Sequence, residues 1–186
     1  MTEPPCYAPE RALHPLWHFR IGPDAEWDED GSERLVGIYA SAASAEAAIV
    51  RLRGKPGFCA WPGGFRRFGN TLDDVAWTGG FITWEEALDA PAPTSPMPRA
   101  RRPRIGRRPA PVVPGMRLYR LVHRTGGAAA DEKGIGVYSS LVRAKAAIRR
   151  VCGDVGFRDW PDGFVIEEYR LDQDALPDGL LPEGAG

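Results

Sequence analysis

The string Gly57–Phe65, GFCAWPGGF, returns 99 positions later as Gly156–Phe164, GFRDWPDGF. No other feature limits the fold as much. Equal local sequences ask for equal local structures, and a unit copied within one chain gains a second face to pack against. At that offset Gly37–Phe81 aligns with Gly136–Leu180 without a gap, and about 19 of the 45 positions are identical. Identities include Tyr39/Tyr138, Ser41/Ser140, Ala48/Ala147, Arg51/Arg150, Gly54/Gly153, Leu72/Leu171 and Asp73/Asp172. Upstream, Leu16–Arg20 (LWHFR) is expected to match a stretch within Leu118–His123 (LYRLVH).

Each copy predicts the same elements. LWHFRI and RLYRLVH read as first strands, RLVGIYA and GIGVYS as second strands, with Ile135 and Val137 expected on one face by period two. Ser41 and Ser140 stand at helix N-cap positions. Ala45, Ala48, Ile49 and Leu52 then recur at helical spacing, as do Ala144, Ala147, Ile148 and Val151. Gly54 and Gly153 are expected as left-handed helix C-caps. Pro62 and Pro161 fix φ, and Gly64 and Gly163 are expected to supply positive φ, so WPGG and WPDG predict turns. Phe58, Trp61 and Phe65, with Phe157, Trp160 and Phe164, are expected to pin those turns to the sheet. Phe65 and Phe164 open the third strands.

The predicted fold is α+β: two tandem ββαβ repeats, each a small antiparallel sheet with one helix on one face, packed as a pseudo-two-fold pair. A unit of roughly 65 residues buries little surface and is marginal alone. The expected organisation is a disordered or extended N-terminus over 1–15, a first repeat over 16–90, a linker over 91–115, a second repeat over 116–181 and a tail over 182–186. The linker, PAPTSPMPRARRPRIGRRPAPVVPG, is too proline-dense for helix or central strand.

Gly136–Ser140 (GVYSS), the alanine-rich helix after it, and Gly156–Asp172 (GFRDWPDGFVIEEYRLD) together resemble a small bacterial domain of no established activity. Some similar proteins occur beside polymorphic toxins and resemble immunity proteins, which bind and block a cognate toxin. The resemblance implies a protein partner and no cofactor. The first copy departs from the pattern: Gly63 stands for Asp162, and Phe68-Gly69 for Glu167-Glu168. An acidic functional face is therefore expected on the second copy.

The chemistry-bearing residues are few. Asp159, Asp162, Glu167, Glu168 and Asp172 concentrate acid near the third strand of copy two and are the expected partner-binding residues, steering a basic partner. Charge reversal at Glu167 and Glu168 is expected to weaken binding and leave the fold intact. Arg99, Arg101, Arg102, Arg104, Arg107 and Arg108 form a basic cluster in the linker, an alternative nucleic-acid contact through phosphates. With a formal net charge of −1, the whole chain is no polyelectrolyte. A second alternative is an enzyme using His18 or His123 with a carboxylate. No nucleophile elbow, P-loop or HExxH occurs, and Cys6, Cys59 and Cys152 form no CxxC pair. No catalytic residue, metal or cofactor is therefore assigned. The expected protein is non-enzymatic and cytoplasmic: no apolar run nears the roughly 20 residues that span a bilayer, and the polar, proline-rich start is unlike a signal peptide.

Overall fold

The computed structural model describes residues 11–20, 33–76, 111–125, 132–154 and 156–180. Residues 1–10 and 181–186, the acidic loop up to Ser32, the glycine-rich loop over 126–131 and the arginine cluster lie outside them. Among the described residues the fold is α+β, with two antiparallel sheets and two α-helices. The strands are β1 (Ala12–His18), β2 (Arg34–Tyr39), β3 (Phe65–Arg67), β4 (Asn70–Thr71), β5 (Arg117–Arg124), β6 (Glu132–Tyr138), β7 (Phe164–Arg170) and β8 (Gln173–Asp174). Helix α1 (Ala42–Leu52) follows β2, and α2 (Leu141–Val151) follows β6. No helix among the described residues is long and apolar enough to cross a membrane.

Both helices start and pack as their sequences dictate. Ser41 accepts from the Ser44 amide and Ser140 from the Arg143 amide, each answering a donor that the first helical turn leaves unpaired. Ala45, Ala48 and Leu52 are buried on one stripe, Ala144, Ala147 and Val151 on the other. The small alanines bring each helix axis close to its sheet.

In the first sheet β1 is central, flanked by β2 on one side and by β3 and β4 on the other, and β8 pairs with β2. The second sheet runs β6-β5-β7. The first strand begins at Ala12, so residues 12–15, expected to precede the first repeat, pair within the sheet. Both second strands carry a bulge at one site. Leu16 faces Gly37 and Trp17 faces Leu35, leaving Val36 as the extra residue. Leu121 faces Gly136 and Val122 faces Gly134, leaving Ile135. A bulge reverses the alternation of faces. Val36 and Tyr39 therefore join the core under α1, while Leu35 and Ile38 turn to the opposite side. Ile135 and Val137 likewise part company, against the period-two expectation: Ile135 packs under α2 and Val137 on the other face.

A central cluster forms on those opposite faces from both halves of the chain: Leu13, Leu35, Ile38 and Leu72 meet Leu118, Val137 and Leu171. The halves also trade their ends. Asp73 N–H donates to the Val137 carbonyl at 2.8 Å and Ala76 N–H to Ile135 at 2.8 Å. At the positions 99 residues on, Asp172 N–H donates to the Ile38 carbonyl at 2.9 Å and Ala175 N–H to Val36 at 2.7 Å. The crossing residues Asp73 and Asp172 share a left-handed backbone, φ 62° and 60°. Their carboxylates repay that strain, which short polar side chains tolerate best. Asp73 accepts from the Ser139 amide at 2.8 Å, and Asp172 from the Ala40 amide at 2.9 Å. Leu176 and Leu180 complete the core under α1, and Val75 packs into the core under α2.

Two glycine expectations are corrected. The helices end at Arg53 and Cys152 in right-handed conformation, and left-handed backbone comes at Gly57 (φ 75°) and Gly156 (φ 81°) instead. Gly64 and Gly163 are absent from the positive-φ residues. They are small because a Cβ would strike the carbonyls of Phe19 and Arg124.

Candidate functional site

The two buried histidines explain the repeated phrase. His18 ends β1 and lies edge-on to Phe58 and Phe65, with ring centroids 4.8 and 4.7 Å away. His123, on β5, sits between Phe157 and Phe164 at 5.0 and 4.6 Å. His18 Nε2–H donates to the Trp61 carbonyl at 2.9 Å and His123 Nε2–H to Trp160 at 2.8 Å. A carbonyl only accepts, so Nε2 carries the proton in each ring. Burial pushes the His18 pKa below its ordinary value, beyond what the Trp61 bond restores, and nearby Arg20 adds to the lowering. These histidines hold the WPxG turn to the sheet. The phenylalanines are the anchors. Trp61 is half-buried and Trp160 exposed, so the tryptophans give carbonyls and not buried rings. Among the described residues no group of three or more His, Cys, Asp or Glu is placed to hold a metal ion.

The five acidic residues do not form one patch. Glu167 belongs to a four-membered ion-pair cluster: Arg120 reaches Glu167 at 2.7 Å and Glu132 at 2.6 Å, while Arg124 reaches Glu167 at 2.8 Å and Glu132 at 2.7 Å. Burial alone would lower the Arg120 pKa, but the two carboxylates outweigh it and hold the guanidinium above its ordinary range. Glu132 shows the mirror image: burial would raise it, and the two arginines hold it low. Beside the cluster, burial and then the Glu167 charge push the Tyr169 pKa up to about 12. Reversing Glu167 would thus leave Arg120 facing a cation in a nearly dry site, so it cannot serve as a silent surface probe. Asp172 is the half-buried latch on Ala40. Asp159, Asp162 and Glu168 are exposed, with Glu168 3.2 Å from Arg117 and Asp159 3.6 Å from Arg158.

A groove of about 200 Å³ lies where the two sheets face each other. Its first-half wall is mostly apolar, with Pro15, Trp17, Leu35, Ile38 and Phe68 beside Glu33 and Asn70. Its second-half wall carries Arg120, Glu132, Gly134 and Val137. The Arg120 guanidinium lies 4.9 Å from the Trp17 ring centre, so its face is already satisfied by a π system and its edges by two carboxylates. Phe68 is 47% exposed at the groove. The sheet registers match Pro15 with Arg120 and Phe68 with Glu167, since His18 pairs with Phe65 and His123 with Phe164. The halves therefore differ most where they meet. Sequence reasoning missed Trp17, Arg120 and Glu132. For Trp17 and Arg120 the one signal available was their failure to repeat, since Val122 and Pro15 stand at the matching positions; Glu132 does repeat, as Glu33. The groove is small for a metabolite. Its Trp, Phe and fixed Arg are the side chains that dominate protein contacts. Comparison with family models, curated proteins and solved structures finds no match for the chain.

Proposed function

We propose that the chain is a non-enzymatic bacterial protein-binding module of two ββαβ units, related by a pseudo-two-fold axis, that binds and blocks a toxin as an immunity protein does. The observation that carries the binding reading is the groove: an exposed Phe68 and a rigidly held Trp17–Arg120 pair beside a fixed cluster of charge. Preorganised aromatic and arginine side chains lose little freedom on contact, which favours tight association. The immunity reading rests on the sequence resemblance. The reading rests on the groove and not on the acidic set, of which only Asp159, Asp162 and Glu168 face outward.

The test is to co-express the chain with the polypeptide encoded by the adjacent gene. A complex should co-elute in size exclusion and relieve any growth arrest. Phe68→Asp should abolish the complex and leave the melting temperature within a few degrees. An unaltered complex with Phe68→Asp would reject the groove, and no complex with the unsubstituted chain would reject the function.

A further inference from the structure

The first half shows how a carboxylate is received at a sheet edge. Asp174, on β8, lies against β2, opposite Gly37. The Tyr39 hydroxyl donates to Asp174 Oδ1 at 2.6 Å. Arg51, one helix away, reaches the same carboxylate with Nη2 at 2.9 Å and Nε at 3.3 Å. A shift of 99 residues carries Tyr39 to Tyr138, Arg51 to Arg150 and Gly37 to Gly136, so both donors and the glycine beneath them recur. The glycine matters, because a Cβ at Gly37 would lie 2.7 Å from the Tyr39 hydroxyl and one at Gly136 2.9 Å from that of Tyr138. Asp174 does not recur: its counterpart on the β6 edge is Val75.

The consequence sits at Tyr138. Its ring is 1% exposed, yet its hydroxyl makes no hydrogen bond. A buried polar group in that condition calls for an explanation. Arg150 is exposed and close enough for its charge to act on the hydroxyl, as do the charges of Asp74 and Asp73, neither of which bonds it. The donor pair is thus complete on both sheets, and the acceptor is present on one.

We propose that the β6 edge is a docking site for an extended segment of a partner protein bearing an aspartate, whose carboxylate is received by Tyr138 and Arg150. The segment would add as a strand, taking the place of residues 74–76 and giving its own amide to the Ile135 carbonyl that Ala76 now holds. Affinity comes from the backbone ladder and selectivity from the single acid. A lysine or an uncharged side chain at that register leaves the hydroxyl unpaired or meets Arg150 with like charge. The proposal rests on the protein-binding reading and deepens it by naming the partner's chemistry. β6 also lines the groove through Gly134, Gly136 and Val137, so one partner can span both.

The chain supplies its own probe. A synthetic peptide of residues 170–180, RLDQDALPDGL, contains the segment that docks in this way on β2. Labelled peptide is titrated into the full chain and followed by fluorescence anisotropy. Saturable binding is expected, and the Asp174→Ala peptide should bind about tenfold more weakly, as befits one charge-assisted hydrogen bond. Tyr138→Phe, which removes only an unpaired hydroxyl, should produce the same loss in the protein. Val75→Asp should block the peptide by supplying the carboxylate internally. Absence of saturable binding, equal affinity for the two peptides, or a loss caused by Tyr39→Phe in place of Tyr138→Phe would each overturn the proposal. A failure here leaves the Phe68 experiment standing, because that one reads the groove and a different partner.

Discussion

The two halves of the molecule keep the same helices, bulges and histidine turns, and they part at the surfaces they turn toward each other. Pro15 and Phe68 in the first half face Arg120 and Glu132 of the second across the groove, with Glu167 beside them on β7. Buried positions are constrained by volume and hydrogen bonding in both copies and so stay alike. Positions at the junction are constrained by one another. At matching positions one half carries Pro15 and Phe68 and the other Arg120 and Glu167, an asymmetry that a strictly self-complementary pair could not have. The lesson is that duplication within one chain frees an interface from symmetry.

The widest expected difference between equivalent sites lies there. Arg120→Ala should cost about 3–5 kcal/mol, since Glu132 and Glu167 would be left with Arg124 alone. Pro15→Ala at the matching position should stay under about 1 kcal/mol. Urea denaturation of both variants checks the contrast, and similar losses would dissolve it. Gly64→Ala and Gly163→Ala should be alike, each losing about 1–3 kcal/mol as the new methyl meets a backbone carbonyl. Unequal losses would mean that the turns are not equivalent.

Acid supplies a third probe. The folded pKa of His18 lies below the 6.5 of a free ring, so the unfolded chain binds the extra proton first. Stability should hold steady above about pH 6.5 and fall as the pH drops below it. Glu132, held low by its arginines, adds a further loss only at more acidic pH. Denaturant midpoints between pH 8 and pH 5 read this, and His18→Phe should flatten the upper part of the decline. A subtler comparison is Val75→Asp, expected to gain about 1 kcal/mol by giving Tyr138 what Tyr39 already has. The gain should vanish in the Tyr138→Phe background. Smallest of all, Glu168→Lys should change stability by no more than about 0.5 kcal/mol, because its pair with Arg117 is half in solvent.

Much of each half was legible because its signals are local. The stripe Ala45, Ala48, Leu52, the caps Ser41 and Ser140, and the WPxG turns are all read within one or two helical turns of chain. What escaped depends on distant partners. The bulges at Val36 and Ile135 leave no compositional trace, yet they move Ile135 and Val137 to opposite faces. Glu167 reads as a surface acid until β5 brings Arg120 and Arg124 across from it. Gly54 and Gly153 follow the helices as C-caps would, but the chain turns three residues later, at Gly57 and Gly156. The histidines looked like candidate catalysts because a ring's role is set by which carbonyl it meets.

The traded ends bear on synthesis. A ribosome makes the first half well before Asp174, Leu176 and Leu180, the residues that finish its sheet and seal the core beneath α1. Until those residues emerge, the nascent first half carries an open β2 edge and uncovered leucine-facing surface, a state prone to aggregation and suited to chaperone capture. Stop codons that remove residues 174–180 should accordingly be far more damaging than the length of that segment suggests.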